Sequence, residues 1–308
     1  MKLNGRHLLG LNDLSRQEAD EILELCGSIK TDFKAGKTRE TLAGKSVAMI
    51  FEKSSTRTRV SFHVGIEQLG GRPLFLAGHE MQLSRGEPIK DTARVLSRYV
   101  DAVVIRANRH EDVVEFAEWS SVPVINGLTD LFHPCQILAD LFTMKEKGFD
   151  LDDFVTVFVG DGNNVANSWI NAAALYGFEM RVACPEGYDP DLRVMTEAKE
   201  KGAKVSIVRD PKEAADGADL LYTDVWVSMG QEEEKKRRLR DFQGFMIDEG
   251  LIGKASKRAV IMHCLPAHRG EEITDEAMEG PRSIVFDQAE NRLHLQKAVL
   301  DLLAGEKR

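Results

Sequence analysis

The chain has 308 residues, too many for one ordinary core and a natural length for two α/β domains. A hydrophobic share of 43% and a charged share of 30% are those of a soluble globular protein. The net charge of −9 argues against a surface built for nucleic acid, which needs clustered Lys and Arg, but leaves room for a local basic pocket around a small anion. No apolar run approaches the roughly 20 residues needed to span a bilayer. The four cysteines, Cys26, Cys135, Cys184 and Cys264, form no CxxC pair and suggest neither a disulfide framework nor a zinc ribbon. The opening Met1–His7 lacks the apolar stretch of a signal peptide, so a reducing cytoplasm is the expected home.

Short β-branched runs alternate with amphipathic stretches, the pattern of βα units and parallel sheets. The spacing predicts strands at Ser46–Phe51, Pro73–Ala77, Ala102–Arg106 and Val122–Ile125, with helices at Thr56–Leu69, Ile89–Tyr99 and Glu111–Trp119. A second series comes at Val155–Val159, Met180–Cys184, Lys204–Val208, Leu220–Thr223 and Ala259–His263. A last strand is expected at Ser283–Phe286, before a final helix from about Gln288 to Leu303. The segment His133–Lys147 reads as a long helix joining two sheets. The fold class is therefore α/β with two domains, each a mainly parallel sheet flanked by helices. Ligands of open α/β sheets sit beyond the carboxyl ends of the strands, so the residues just after each strand matter most.

The first strand runs into Glu52–Arg59, where hydroxyls, guanidinium groups and backbone N–H groups meet at a helix N-terminus, a place suited to phosphate. The planar fork of Arg57 can hold two phosphate oxygens at once, and an ordinary Ser/Thr cap with solvated arginines explains the same residues about as well. Arg106 ends the third strand and offers a second cation for a dianion or a developing oxyanion; alone, it also fits a surface charge. After the fourth strand, His133-Pro134-Cys135-Gln136 opens the joining helix, with His133 and Gln136 able to face one way. A carbonyl oxygen and an amino group could be gripped there. A capping histidine or a metal ligand are the other readings; the metal is the weaker, with no carboxylate or second histidine at ligand spacing nearby.

Val155–Val159 leads into Gly160-Asp161-Gly162-Asn163-Asn164-Val165-Ala166, a poor dinucleotide motif because its third glycine position is Val165. Asn163 and Asn164 amides at a helix N-terminus suit an amino-acid carboxylate better. Leu220–Thr223 is followed by Asp224, able to bind an ammonium, and by Ser228-Met229-Gly230. The run Gln231–Arg240 reads as a solvated helix face. The fifth strand of the second series ends at His263-Cys264-Leu265-Pro266, where Cys264 is either a small core hydrophobe or part of a site lining. Arg292, early in the last helix, is individually uninformative.

Together these segments resemble the aspartate/ornithine carbamoyltransferase family, and specifically its ornithine-using members. The carriers are Ser55-Thr56-Arg57-Thr58-Arg59, Lys90-Asp91-Thr92-Ala93-Arg94, His133–Gln136, Asn163-Asn164, Asp224 with Ser228-Met229-Gly230, and His263–Pro266, in order over nearly the whole chain. The sequence departs from the family at His63, where members usually carry Glu. The resemblance implies a carbamoyl-phosphate domain of residues 1–135 plus 288–308 and an ornithine domain of residues 136–287, with the C-terminal helix returning to the first.

It further implies that Ser55, Thr56, Arg57, Thr58 and Arg106 hold the phosphate, helped by Gln82 from a neighbouring subunit. Thr58, Arg106 and His133 would polarise the carbonyl, Gln136 and the Leu265 backbone would hold the amino group, and Arg292 would complete the pocket. Ornithine would be clasped by Asn164, Asp224, Ser228 and the Met229 backbone, its neutral side-chain amine attacking beside Cys264. The catalytic set is then Arg106, His133, Asp224 and Cys264. The implied enzyme is a trimer or a multiple of trimers, needs no cofactor and no metal, and makes L-citrulline and phosphate. Rival amines are putrescine, an acylated ornithine and aspartate, and a nicotinamide (NAD) dehydrogenase is a more distant alternative.

Overall fold

The computed structural model describes residues 3–227 and 234–305. The chain falls into two compact units, Met1–Phe142 with Glu290–Arg308, and Thr143–Ala289.

The first unit contains α1 (Arg16–Lys34), β1 (Ser46–Phe51), α2 (Thr56–Gln68), β2 (Arg72–Ala77), α3 (Ile89–Leu96), β3 (Ala102–Arg106), α4 (His110–Trp119), β4 (Val124–Leu128) and the start of α5 (Pro134–Glu146). The expected elements do not include α1. It begins with a capping box: Ser15 Oγ accepts from Glu18 N–H, and the Glu18 carboxylate accepts from Ser15 N–H. Four parallel strands take the order β2-β1-β3-β4. β1 and β3 are buried almost throughout, as strands covered on both faces must be, which is why they read as unbroken apolar runs.

The second unit holds β5 (Val155–Val159), α6 (Asn164–Tyr176), β6 (Glu179–Ala183), α7 (Leu192–Glu200), β7 (Lys204–Val208), α8 (Pro211–Ala214), β8 (Leu220–Thr223), α9 (Lys235–Asp241), α10 (Glu249–Ile252), β9 (Val260–His263), α11 (Asp275–Glu279) and the start of α12 (Val285–Ala304). Its parallel sheet has the order β7-β6-β5-β8-β9. The strand expected at Ser283–Phe286 does not form. Ser283 makes one isolated bridge to Ile261, and α12 takes over at Val285. The β-branched residues Ile284 and Val285 suggested extension, but the helix-forming run after them extends its first turn back over Val285.

From Glu290 onward α12 belongs to the first unit. There Lys30 Nζ donates to Asn291 Oδ1 at 2.7 Å, Arg292 Nη2 to Thr58 Oγ1 at 2.7 Å, and Lys297 Nζ to Gln68 Oε1 at 2.9 Å. The last two bonds hold α12 to the two ends of α2.

Strand order fixes where each sheet opens. In the first unit the chain leaves β1 for β2 on one side and reaches β3 on the other, so the topological switch point lies between β1 and β3. In the second it lies between β5 and β8. Register brings Phe51 beside Arg106 and Val159 beside Thr223, the last residues of the four strands concerned.

Candidate active site

In the first unit the switch point is furnished by the turn after β1, by the end of β3, and by α5 and α12. Ser55 is extended and its Oγ accepts Thr58 N–H at 3.3 Å, a true N-cap. A cap satisfies one of the first-turn N–H groups and leaves the positive end of α2 in place, so the capping and anion-binding readings of this segment are compatible. Thr56 and Arg57 are exposed, while Arg59 lies over the Phe75 ring at 3.6 Å and is committed to packing. His63 pairs with Glu67 at 3.4 Å on the exposed face of α2.

Thr58 turns inward and is buried, as are Arg106, His133, Gln136 and Arg292. Burial pushes the His133 pKa well below the ordinary 6.5, and the nearby Arg292 and Arg106 cations push it in the same direction. The imidazole is therefore neutral at neutral pH, a hydrogen-bonding group that adds no charge between two guanidinium groups. Gln136 Nε2 donates to Asp140 Oδ1 at 2.8 Å. This fixes the amide orientation and leaves Gln136 Oε1 buried without a hydrogen-bond partner among the described residues. A buried, unsatisfied acceptor costs free energy unless a ligand supplies a donor. Cys135, next to Gln136, is fully buried and its thiol is pushed up to about 12, so it is an inert core residue. Gln82 lies on an exposed turn, Gln82–Arg85. A hollow of about 480 Å³ adjoins the turn after β1 and is lined in part by Ser54, Ser55, Thr56 and Arg59.

In the second unit the switch point is built around Asp224, buried at the end of β8. Asn163 caps α6 through Oδ1, accepting from Val165 and Ala166 N–H, and its Nδ2 donates to Asp224 Oδ2 at 2.8 Å. The carboxylate-binding role expected of Asn163 is thus displaced: both ends of its amide are used within the protein. Asn164, the first residue of α6, remains half-buried beside it. Cys264 Sγ donates to Asp224 Oδ1 at 3.0 Å, and Val225 N–H donates to the same oxygen at 2.8 Å. Asp224 is held as an oriented acceptor, with the Cys264 thiol protonated against it. Ser228 and Met229 lie outside the described residues.

Further groups shape this half-site, and for Glu272 and Arg238 chain position alone gave no sign of it. His263 Nδ1 accepts Leu265 N–H at 2.9 Å, so Nε2 carries the proton and donates to Glu272 Oε1 at 3.0 Å. This holds Leu265 at φ 60°, a left-handed conformation that costs a non-glycine residue about 1–3 kcal/mol. Arg238 corrects the reading of Gln231–Arg240 as a solvated face. It is buried, donating from Nη1 to Asp161 Oδ2 at 2.7 Å and to the Trp226 carbonyl at 3.0 Å. Asp161, in turn, is buried enough that its pKa is raised despite Arg238.

The ligand atoms of Asp224, His263 and Cys264 lie within 4.8 Å of one another. Both His263 nitrogens and the Cys264 thiol are already engaged as described, so a cation would have to break those bonds. The glycine motif is likewise occupied. A Cβ on Gly162 would sit 2.2 Å from Pro190 N and 2.4 Å from the Asp189 carbonyl carbon. Gly162 thus serves a close approach of the chain's own backbone.

Comparison with known proteins also divides the chain near residue 150, but assigns the C-terminal helix to the second part. Residues 6–146 match the family described as aspartate/ornithine carbamoyltransferase, carbamoyl-P binding domain, and residues 152–303 match its Asp/Orn binding domain. A protein of Archaeoglobus fulgidus named ornithine carbamoyltransferase is 56% identical over 302 residues, covering 98% of this chain and 98% of its own. One of Wolinella succinogenes with the same name is 54% identical over 299 residues, covering 96% and 97%. Among solved structures, an ornithine carbamoyltransferase from Pyrococcus furiosus superposes with a TM-score of 0.96 at 49% identity, covering 100% of both chains.

Proposed function

The chain belongs to the aspartate/ornithine carbamoyltransferase family, and from that premise we propose that it transfers the carbamoyl group of carbamoyl phosphate to the side-chain amine of L-ornithine, releasing L-citrulline and phosphate. The observation that carries this reading is the buried cluster of the first unit. The Arg106 guanidinium, a neutral imidazole and an amide oxygen lacking a donor match, respectively, the phosphate oxygens, the carbonyl oxygen and the amino group of that substrate.

Carbamoyl phosphate already carries a good leaving group, so the chemistry asks for neither a covalent intermediate nor a cofactor. What must be supplied is alignment and stabilisation of an oxyanion away from water. We assign phosphate binding to Ser55, Thr56, Arg57, Thr58 and Arg106, and carbonyl polarisation to Thr58, Arg106 and His133. Gln136 Oε1 accepts from the amino group, and Arg292 steadies Thr58 through the bond between them. On the amine side, Asn164 and Asp224 hold the α-amino-acid end, with Ser228 and Met229 assigned by resemblance. Asp224 and Cys264 set the environment in which the amine attacks neutral, the amine losing a proton that it otherwise keeps to a pKa near 10. The proposal extends to a homotrimer, or a multiple of trimers, in which Gln82 serves the neighbouring site. It also extends to a cytoplasmic setting and to a role in arginine biosynthesis, for which the reactive mixed anhydride of carbamoyl phosphate supplies a favourable citrulline-forming direction.

The test is a citrulline assay with carbamoyl phosphate and, in parallel, ornithine, acetylornithine, putrescine and aspartate. Ornithine should give the highest kcat/KM, with activity rising through the mildly alkaline range as the amine deprotonates. A higher value for another amine, or a flat profile from neutral to alkaline pH, refutes the substrate or the amine chemistry respectively.

A further inference from the structure

A second cavity of about 190 Å³ lies in the first unit, away from the residues assigned above, and Phe33, Asp32, Lys37, Arg39, Gln68 and Lys297 are among its lining. Lys297 is unusual in it. The side chain is 3% exposed, its stem lies against α2 at Gly65, where a Cβ would come within 3.3 Å of Lys297 Cγ, and its Nζ donates to Gln68 Oε1. The Nζ also lies 4.6 Å above the Phe33 ring. Among the described residues no carboxylate pairs with it. Asp32, the acid in the cavity lining, is held by Arg39 at 2.6 Å and by Lys37 at 3.8 Å. An ammonium buried without an anion is unfavourable, and two relieving routes exist: loss of its proton, or conversion to a neutral group.

We propose that Lys297 is a covalent acceptor site for small electrophilic carbonyl compounds, and that cyanate, the breakdown product of carbamoyl phosphate in water, is the reagent that modifies it. The lone pair of the neutral Nζ attacks the carbon of HN=C=O. A C–N bond forms, the C=N π pair takes up the proton that leaves the amine, and the product is a neutral urea, Nζ–CO–NH2. Nothing departs, and no oxidant or reductant is required. The urea removes the uncompensated charge and keeps N–H donors for Gln68 Oε1. A reagent of three heavy atoms is small enough for this cavity.

The charged and titratable groups around Nζ are Cys26 of α1, Asp32, also of α1, Lys37 and Arg39 after it, and His294 on α12 itself. Burial is the main influence; with Cys26 raising and Arg39 lowering it, the Lys297 pKa is brought down to about 8. At pH 7.5 this gives on the order of a hundredfold more neutral amine than an exposed lysine with pKa near 10.4. The supply of cyanate rests on the function proposed above, but the reactivity of Lys297 does not.

The experiment is timed labelling of the whole protein with ¹³C-cyanate at pH 7.5, followed by peptide mass spectrometry. Lys297 should be modified at least about tenfold faster than exposed Lys37, and at fixed total cyanate its rate should be level up to about pH 8 and fall above it, where the amine is already neutral and the reactive HN=C=O gives way to the cyanate anion. The preference should vanish in guanidinium-unfolded protein. Labelling of Lys297 no faster than of Lys37, or the same preference in unfolded chains, overturns the proposal. Ageing carbamoyl phosphate should give the same adduct, and an excess of a scavenging amine should abolish it. Adduct that persists with the scavenger overturns cyanate as the reagent, and neither result depends on turnover of ornithine.

Discussion

Burial has opposite consequences for Arg106 and His133. A guanidinium cannot give up its proton, so Arg106 remains a cation, whereas His133 sheds its proton and becomes a neutral hydrogen-bonding group. Arg106 is therefore the group positioned to meet developing negative charge. Arg106→Ala should lower kcat by about 10²–10³, the usual loss for one oxyanion donor. Steady-state kinetics showing near-normal turnover would remove Arg106 from the mechanism. His294 illustrates burial without function. Neither ring nitrogen has a hydrogen-bond partner among the described residues, and burial lowers its pKa from 6.5 to about 4. Because the folded value lies below the unfolded one, the stability concerned is fully present above pH 6.5 and is lost as the pH falls towards 4. His294→Leu should be no less stable than the parent at pH 7. It should also lose on the order of 3 kcal/mol less between pH 7 and pH 4, read from denaturant unfolding at both pH values. At this scale the sequence revealed which residues stand at strand ends, because a parallel sheet makes that position informative. It did not reveal charge states or partners, such as Asp161 for Arg238, 77 positions away.

Elements whose burial is uniform were the most legible. β1, β3 and β5 read as apolar runs because parallel sheets bury both faces. Less legible were elements decided by context: α1, announced by the Ser15–Glu18 box, and the stretch at Ser283, where a local β preference yields to helix. The charged run leading into α9 hid Arg238, because composition cannot distinguish one inward-facing arginine from its solvated neighbours. Its Nη1 joins Asp161, just before α6, to the Trp226 carbonyl, just after Asp224, while its Nε donates to Glu234 at 3.1 Å. Arg238→Lys keeps the charge but loses the two-directional geometry. It should raise KM for ornithine several-fold, with little effect on KM for carbamoyl phosphate. Equal changes in both constants would assign Arg238 a general stabilising role instead.

For the molecule as a whole, strand order carries more than any motif. Each sheet places its candidate groups at its own switch point: Ser55–Thr58 and Arg106 at one, Asn163 and Asp224 at the other. The crossing order could not be read from strand positions, since it depends on which way each connection turns. Assembly was less legible still, because Gln82 sits on an exposed turn of its own unit. If it serves a neighbour, mixing Gln82→Ala subunits with Arg57→Ala subunits under reversible dissociation should regenerate activity that neither variant has alone. Mixtures no more active than the average of the two would place Gln82 outside any shared site.

The bond between Arg292 and Thr58 spans 234 positions of chain. A ribosome adding about 5–20 residues per second releases Thr58 well before Arg292 exists. The nascent polypeptide can cap α2 and pair β1 with β2 early, yet its anion pocket stays unfinished until the final helix emerges. On the proposed site assignment, substrate affinity is acquired at the end of translation, and a product cut short before α12 should make backbone structure without binding carbamoyl phosphate.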